Sequence, residues 1–163
     1  MFKVIDEMTS NIVIARNKKA LHDYHILEKW EAGIALQGTE VKSLRMGHAN
    51  LKDSYALIQD GEVFLHQMHI GPYDKGNIFN HEPTRIRKLL LQKRQIKKLA
   101  ASLRSKGFAL VPLSVYWKDN RVKVEIALVR GKRQYDKRDA IARREESRAL
   151  DRAMKQHLRT LKK

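Results

Sequence analysis

Seven histidines and a scatter of carboxylates are the first candidates for chemistry in this 163-residue chain. His22 and His25 are three positions apart, as are His66 and His69. A shared metal needs both imidazoles on one side. If residues 62–70 form one strand, His66 and His69 point to opposite faces, because side chains alternate along a strand. Asp23, Glu28, Glu31, Glu40 and Asp53 are too dispersed to promise the convergent carboxylates of a two-metal nuclease, and nothing local brings Asp53 to Glu40. No Gly-rich phosphate loop precedes a helix and no nucleophile elbow is present. There is no cysteine, so disulfides and thiolate metal sites are excluded. No cofactor or metal is expected, and the chain reads as a binding protein rather than an enzyme.

The cations are more informative. Arg16, Lys18 and Lys19 cluster around Asn17, and Lys42 and Arg45 sit about one helical turn apart. Tyr24 and Trp30 lie nearby in sequence. Cations for phosphates and aromatics for bases are the recurring recipe for RNA that is not a plain duplex. The whole chain supports this, with 34 Lys and Arg against 18 Asp and Glu, a formal charge of +16. Self-repulsion at that level opposes a compact state, and a polyanion would relieve it.

These groups need elements to position them. Asn11–Ala15 is expected as a strand, Lys18–Asp23 as a short helix or turn, and Tyr24–Leu36 as a long strand with Tyr24, Ile26, Glu28, Trp30, Ala32, Ile34 and Leu36 on one face. Thr39–Met46 is expected as a short helix stopped at Gly47. Ser54–Ile58 and Glu62–Ile70 flank Asp60-Gly61, a tight hairpin turn. Residues 71–83 form a polar loop. Thr84–Lys106 is expected as the one long helix, started by Pro83-Thr84, ended by Gly107, with Leu89, Ile96, Leu99 and Leu103 as its apolar stripe. Phe108–Trp117 and Val122–Val129 make a second hairpin around residues 118–121. The expected fold is mainly β, a small closed antiparallel barrel of oligonucleotide-binding type with one long and two short helices.

After Val129 the composition changes. Residues 131–163 hold twelve Lys and Arg against five Asp and Glu, a net of +7, with Leu150, Met154, Leu158 and Leu161 at helical spacing. An isolated helix with so thin an apolar stripe is marginal in water. Two domains are expected: 1–130, a barrel, and 131–163, a basic tail that is disordered when free and becomes helical on a partner. Met1–Ser10 carries Asp6 and Glu7 and no apolar h-region, so it is not a signal peptide. No apolar run approaches the roughly 20 residues needed to span a bilayer. A cytoplasmic monomer without a membrane partner is expected.

Several stretches resemble the SsrA-binding protein family. They are residues 33–45 (Gly-Ile-Ala-Leu-Gln-Gly-Thr-Glu-Val-Lys-Ser-Leu-Arg), Asp53-Ser54-Tyr55, Pro83-Thr84-Arg85, residues 87–91, Tyr116-Trp117, Gly131-Lys132 and the triplet Asp136-Lys137-Arg138. Residues 71–82 match poorly, and position 135 is Tyr where relatives often have His. The resemblance implies a barrel that grips the transfer-RNA-like domain of transfer-messenger RNA (tmRNA) and delivers it to stalled ribosomes for trans-translation, with elongation factor Tu in the delivery complex. It implies RNA contacts at Asn17, Lys18, Lys19, Tyr24, Glu31, Lys42, Arg45, Leu90 and Lys123. It also implies a tail that enters the messenger channel toward the decoding centre through Lys132, Arg133, Tyr135, Asp136, Lys137, Arg138, Arg143, Arg144, Leu150, Met154 and Leu158. Two other readings stay open on the residues alone: a general ribosome-associated RNA-binding barrel, and a small RNA nuclease.

Overall fold

The computed structural model describes residues 11–132, apart from the Phe79 side chain, and positions 141, 145, 147–149 and 152. The chain divides into two compact units, residues 1–130 and 131–163. In the first unit the chain runs β1 (Ile12–Arg16), α1 (Lys18–Asp23), β2 (Tyr24–Ile34), α2 (Gly38–Arg45), β3 (Ala49–Asn50), β4 (Tyr55–Gln59), β5 (Glu62–His66), β6 (His69–Ile70), β7 (Arg87–Leu90), α3 (Lys93–Leu103), β8 (Phe108–Lys118) and β9 (Arg121–Gly131). In the second unit the described positions 141, 145, 147–149 and 152 are helical.

Turn chemistry and alternation explain most of this. Asp60 and Gly61 have φ of 50° and 74°, and Asp119 and Asn120 have φ of 48° and 56°. Both hairpins therefore close through two left-handed residues, the geometry whose twist matches the flanking strands. The second hairpin is tighter than expected, with β8 and β9 running to Lys118 and Arg121. Gln67, at φ 59°, breaks the expected 62–70 strand. His66 thus ends β5, while His69 belongs to β6, which pairs with β3 in a separate two-stranded sheet.

The large sheet has strand order β1-β8-β4-β5-β7-β2-β9, and β8 also pairs with β9. Six strands therefore come round in an antiparallel ring. Its joints are unequal: β8 and β9 pair along their whole length, while β4 meets β8 at one position, Ala56 opposite Leu110. Val63, Leu65, Leu89, Leu110, Val124 and Ile126 fill the ring, and α3 contributes the fully buried Leu99. A second, smaller cluster packs outside the ring, where Ala20 of α1 meets Val111, Leu113, Ala127 and Val129, with Tyr24 and Ile26 partly covered.

The long helix is corrected. Residues 87–90 are strand β7, paired with β5 and β2, and the helix spans only Lys93–Leu103. Burial alternates along the strand, with Arg87 and Leu89 inside and Leu90 outside. The strand completes the ring, and that long-range pairing outweighs the helical propensity of its residues. Gln92 starts the helix, its backbone N–H donating to Gln95 Oε1 at 2.9 Å, a side chain three residues on. The expected end is corrected as well: the helix stops at Leu103 with Arg104 as its cap, and Gly107, at φ 88°, belongs to the turn that leads into β8. Leu89 is core as expected, but from a strand.

Candidate nucleic-acid interface

β8 is long enough to have its outer edge shared, by β1 at Ser114–Trp117 and by β4 at Leu110. Asn17 stitches the gap between them. Its backbone N–H donates to Leu113 O at 2.8 Å, and its Nδ2 donates to Pro112 O and Leu51 O, each at 3.1 Å. Its Oδ1 accepts from Ala20 N at 3.0 Å, capping α1. Asn17 is buried with all its polar groups engaged, so its side chain is not offered to a ligand. It instead fixes the start of the helix that carries Lys18 and Lys19, both exposed.

Lys19 donates to Asp53 Oδ1 at 2.7 Å, which raises the lysine pKa and lowers that of Asp53. Lys19, Tyr24, Asp53 and Tyr55 line one hollow of about 400 Å³ between α1, β4 and β8.

The α2 cations lie elsewhere. Lys42 Nζ is 5.4 Å from the centre of the Tyr73 ring, and the Arg45 guanidinium 5.8 Å from that of Trp117. Tyr24 packs on the cluster that holds Val111 and Leu113 of β8, and Trp117 lies four to six residues further along that strand, about 13–20 Å at about 3.3 Å per residue. The two α2 cations do meet aromatics, but their partners are Tyr73 and Trp117 rather than Tyr24 and Trp30. Trp30 is core, 8% exposed, with Lys98 over its ring at 5.9 Å.

The orientation of α2 is set from below. Glu40 is fully buried and accepts from Gln37 N at 2.7 Å, Arg85 Nε at 2.8 Å and Arg87 Nε at 2.8 Å. Burial pushes its pKa up, but the bonds from Arg85, Gln37 and Arg87 outweigh it and hold the carboxyl below its ordinary value. Arg87, also fully buried, donates further to Met68 O at 2.6 Å, Arg85 O at 3.0 Å and Pro83 O at 3.0 Å. One carboxylate thus ties α2 to β7 and the segment before it.

Glu31, Leu90 and Lys123 line a single cleft of about 570 Å³. Glu31 is exposed at the edge of β2 and accepts from Tyr116 Oη at 2.7 Å and from Lys118 Nζ at 3.0 and 3.2 Å. The tyrosine bond leads in holding its pKa below the ordinary carboxylate value, and burial with that same bond pushes Tyr116 well up. Leu90 stands 52% exposed. Gly33 faces it, and a Cβ there would come within 3.2 Å of Leu90 Cβ, so a larger residue would push the leucine from its place. Sequence reasoning missed Tyr116 and Lys118 because they lie 85 and 87 positions from Glu31.

Three of the histidines make contacts within the fold. His81 is buried and bonds Ile70 O at 3.0 Å, His22 meets Asp23 at 2.9 Å, and the His66 ring stacks on Tyr55. Among the described residues no group of three or more His, Asp or Glu is arranged to hold a metal ion. No helix among them is long and apolar enough to cross a membrane. Lys132 lies just after β9, half-buried. The expected tail residues Arg133, Tyr135, Asp136, Lys137, Arg138, Arg143, Arg144, Leu150, Met154 and Leu158 lie outside the described residues.

The SmpB protein family profile matches residues 14–156, from within β1 to near the C-terminus. The chain belongs to the SmpB protein family. The SsrA-binding protein of Desulforudis audaxviator is 59% identical over 140 residues, covering 86% of this chain and 92% of that protein. That of Carboxydothermus hydrogenoformans is 56% identical over 143 residues, covering 88% and 96%. A solved chain, described as tmRNA-SmpB in "a journey to the center of the bacterial ribosome", superposes with a TM-score of 0.64. It is 46% identical, with 78% of this chain and 93% of that chain covered. The two relatives thus match more than half of the aligned positions of this chain, and the solved chain shares its fold.

Proposed function

We propose that this SmpB-family chain is an RNA-binding adaptor for tmRNA in trans-translation. It binds the transfer-RNA-like domain and delivers it to stalled ribosomes, with elongation factor Tu in the delivery complex. The observation that carries this reading is the alignment over more than 90% of the length of relatives named SsrA-binding protein. The cleft adds a physical warrant, since it offers a carboxylate with spare acceptor capacity, an exposed leucine face and the Lys123 cation. Those are hydrogen-bonding, stacking and phosphate groups for unpaired RNA. The chain acts as a cytoplasmic monomer and performs no bond-making of its own. Residues 131–163 enter the messenger channel, where ribosomal RNA offsets their +7 charge and the entropy of ordering them.

An electrophoretic shift assay should show tighter binding to tmRNA than to bulk structured RNA at moderate salt. Equal affinity for both would favour a general ribosome-associated protein, and metal-dependent cleavage of the RNA would favour a nuclease. A chain ending at Gly131, which keeps β9 whole, should retain tmRNA affinity and lose peptide tagging on stalled ribosomes. Full tagging by that truncation would remove the tail from the mechanism.

A further inference from the structure

Helix α3 carries more positive charge than its packing requires. From Lys93 to Lys106 there are six Lys or Arg and no Asp or Glu. Its first turn opens with Lys93 and Arg94, beside the positive end of the helix dipole, where cations are disfavoured. Helix stability therefore gives no reason for this sequence. Two of the cations have partners. Arg94 Nε donates to Gln92 Oε1 at 2.7 Å, and Lys98 pairs with Glu28 while covering Trp30. Lys93, Lys97 and Arg104 are exposed, and no acceptor meets their charged groups among the described residues. At 3.6 residues per turn the three fall within about 40° of one another and span about 16 Å along the helix.

Both ends of this row open on a concavity. Lys93 lines the cleft that holds Leu90 and Lys123. Arg104 lines a second hollow of about 620 Å³, with Tyr55, Leu57 and Phe108, beside the thin joint between β4 and β8. Tyr55 and Leu57 are 39% and 42% exposed there. The Tyr55 ring is held flat by stacking on His66, with centroids 5.2 Å apart and planes 5° from parallel.

We propose that Lys93, Lys97 and Arg104 form a phosphate track that leads one unpaired strand of bound tmRNA from the Leu90 cleft to the Tyr55–Phe108 hollow, which receives a base. This rests on the tmRNA-binding reading above and extends its site along α3. A row of unpaired cations fits a phosphodiester backbone, and a pre-oriented aromatic beside an apolar floor fits the face of a base. A duplex would satisfy the cations but keeps its bases stacked inside, leaving the hollow unused.

The test uses the full chain and tmRNA. Affinity is measured across a salt series, with melting curves to verify folding. K93Q/K97Q/R104Q should flatten the slope of log affinity against log salt by roughly two to three, the counterions released at three phosphates. K29Q/K75Q/R121Q removes the same charge elsewhere and should flatten it by less than roughly one. Equal flattening in the two variants, or none in the first, overturns the track. Tyr55→Leu keeps apolar volume but loses the ring, and should weaken binding roughly fivefold or more. Native affinity in a folded Tyr55→Leu variant points to a duplex and overturns the strand path. A wild-type chain with no preference for tmRNA overturns the parent reading, an outcome distinct from an unchanged slope in K93Q/K97Q/R104Q when the wild-type chain does prefer tmRNA.

Discussion

Glu40 and Glu31 are two ionised carboxylates in one domain with opposite uses. Glu40 is sealed beneath α2, and both its oxygens are taken by Gln37, Arg85 and Arg87. Glu31 is exposed, its Oε2 held by Tyr116 while its Oε1 has one long bond, from Lys118. Both pKa values are lowered, so the direction of the shift does not separate them. Unspent acceptor capacity does. A carboxylate whose lone pairs are all used by its own chain builds the fold, and one that keeps a spare lone pair on an exposed oxygen is left able to recognise something else.

The strongest way to break this contrast is Glu40→Gln. It leaves the buried Arg87 guanidinium without an anion and should cost about 3–5 kcal/mol in denaturant unfolding. RNA affinity should fall with it, because Lys42 and Arg45 ride on the helix that Glu40 anchors. The acid limb should change as well. The folded pKa of Glu40 lies below its ordinary 4.5, so its contribution is fully present above about pH 4.5 and is lost as pH falls through the folded value. Melting temperature against pH should therefore drop less steeply in the variant. Parallel acid limbs would place the sensitivity in other carboxylates.

Leu99→Ala tests the apolar counterpart of the buried clamp and should cost about 2–5 kcal/mol, since Leu99 is fully buried against the ring. An unmoved melting temperature would mean that α3 does not close the core. The smallest effect on stability belongs to Glu31→Gln, less than about 1 kcal/mol, because an exposed ion pair is largely screened. That variant should nevertheless weaken tmRNA binding. Native affinity would group Glu31 with Glu40 as a structural carboxylate.

The hairpins, α1, α2 and the alternation of β2 were legible because each rests on local rules: left-handed turn residues, a glycine stop at Gly47, apolar residues two apart. β7 was not, because Arg87-Lys88-Leu89-Leu90 continues the helical pattern of Ile96, Leu99 and Leu103, and only its distant partners make it a strand. Asn17 misled for a related reason. Between Arg16 and Lys18 it resembles part of a polar surface, and its acceptors, Leu51 and Pro112, lie 34 and 95 positions away. The cations stand out as a group in the sequence, but the aromatics that Lys42 and Arg45 meet come from a loop and from the far end of β8. Local spacing could not place either.

The shared outer edge of β8 also sets a schedule. Ile12 of β1 pairs with Trp117, 105 residues later. At about 5–20 residues per second, a ribosome making this chain takes roughly 5–20 s to supply that partner after β1 has been synthesised. The β4–β5 hairpin can form early from neighbouring residues, while β1 waits as an unpaired strand until almost the whole first unit has been translated. An unpaired strand edge can template wrong pairing. A brief strand of five residues ending in Arg16 gives such mispairing little to hold.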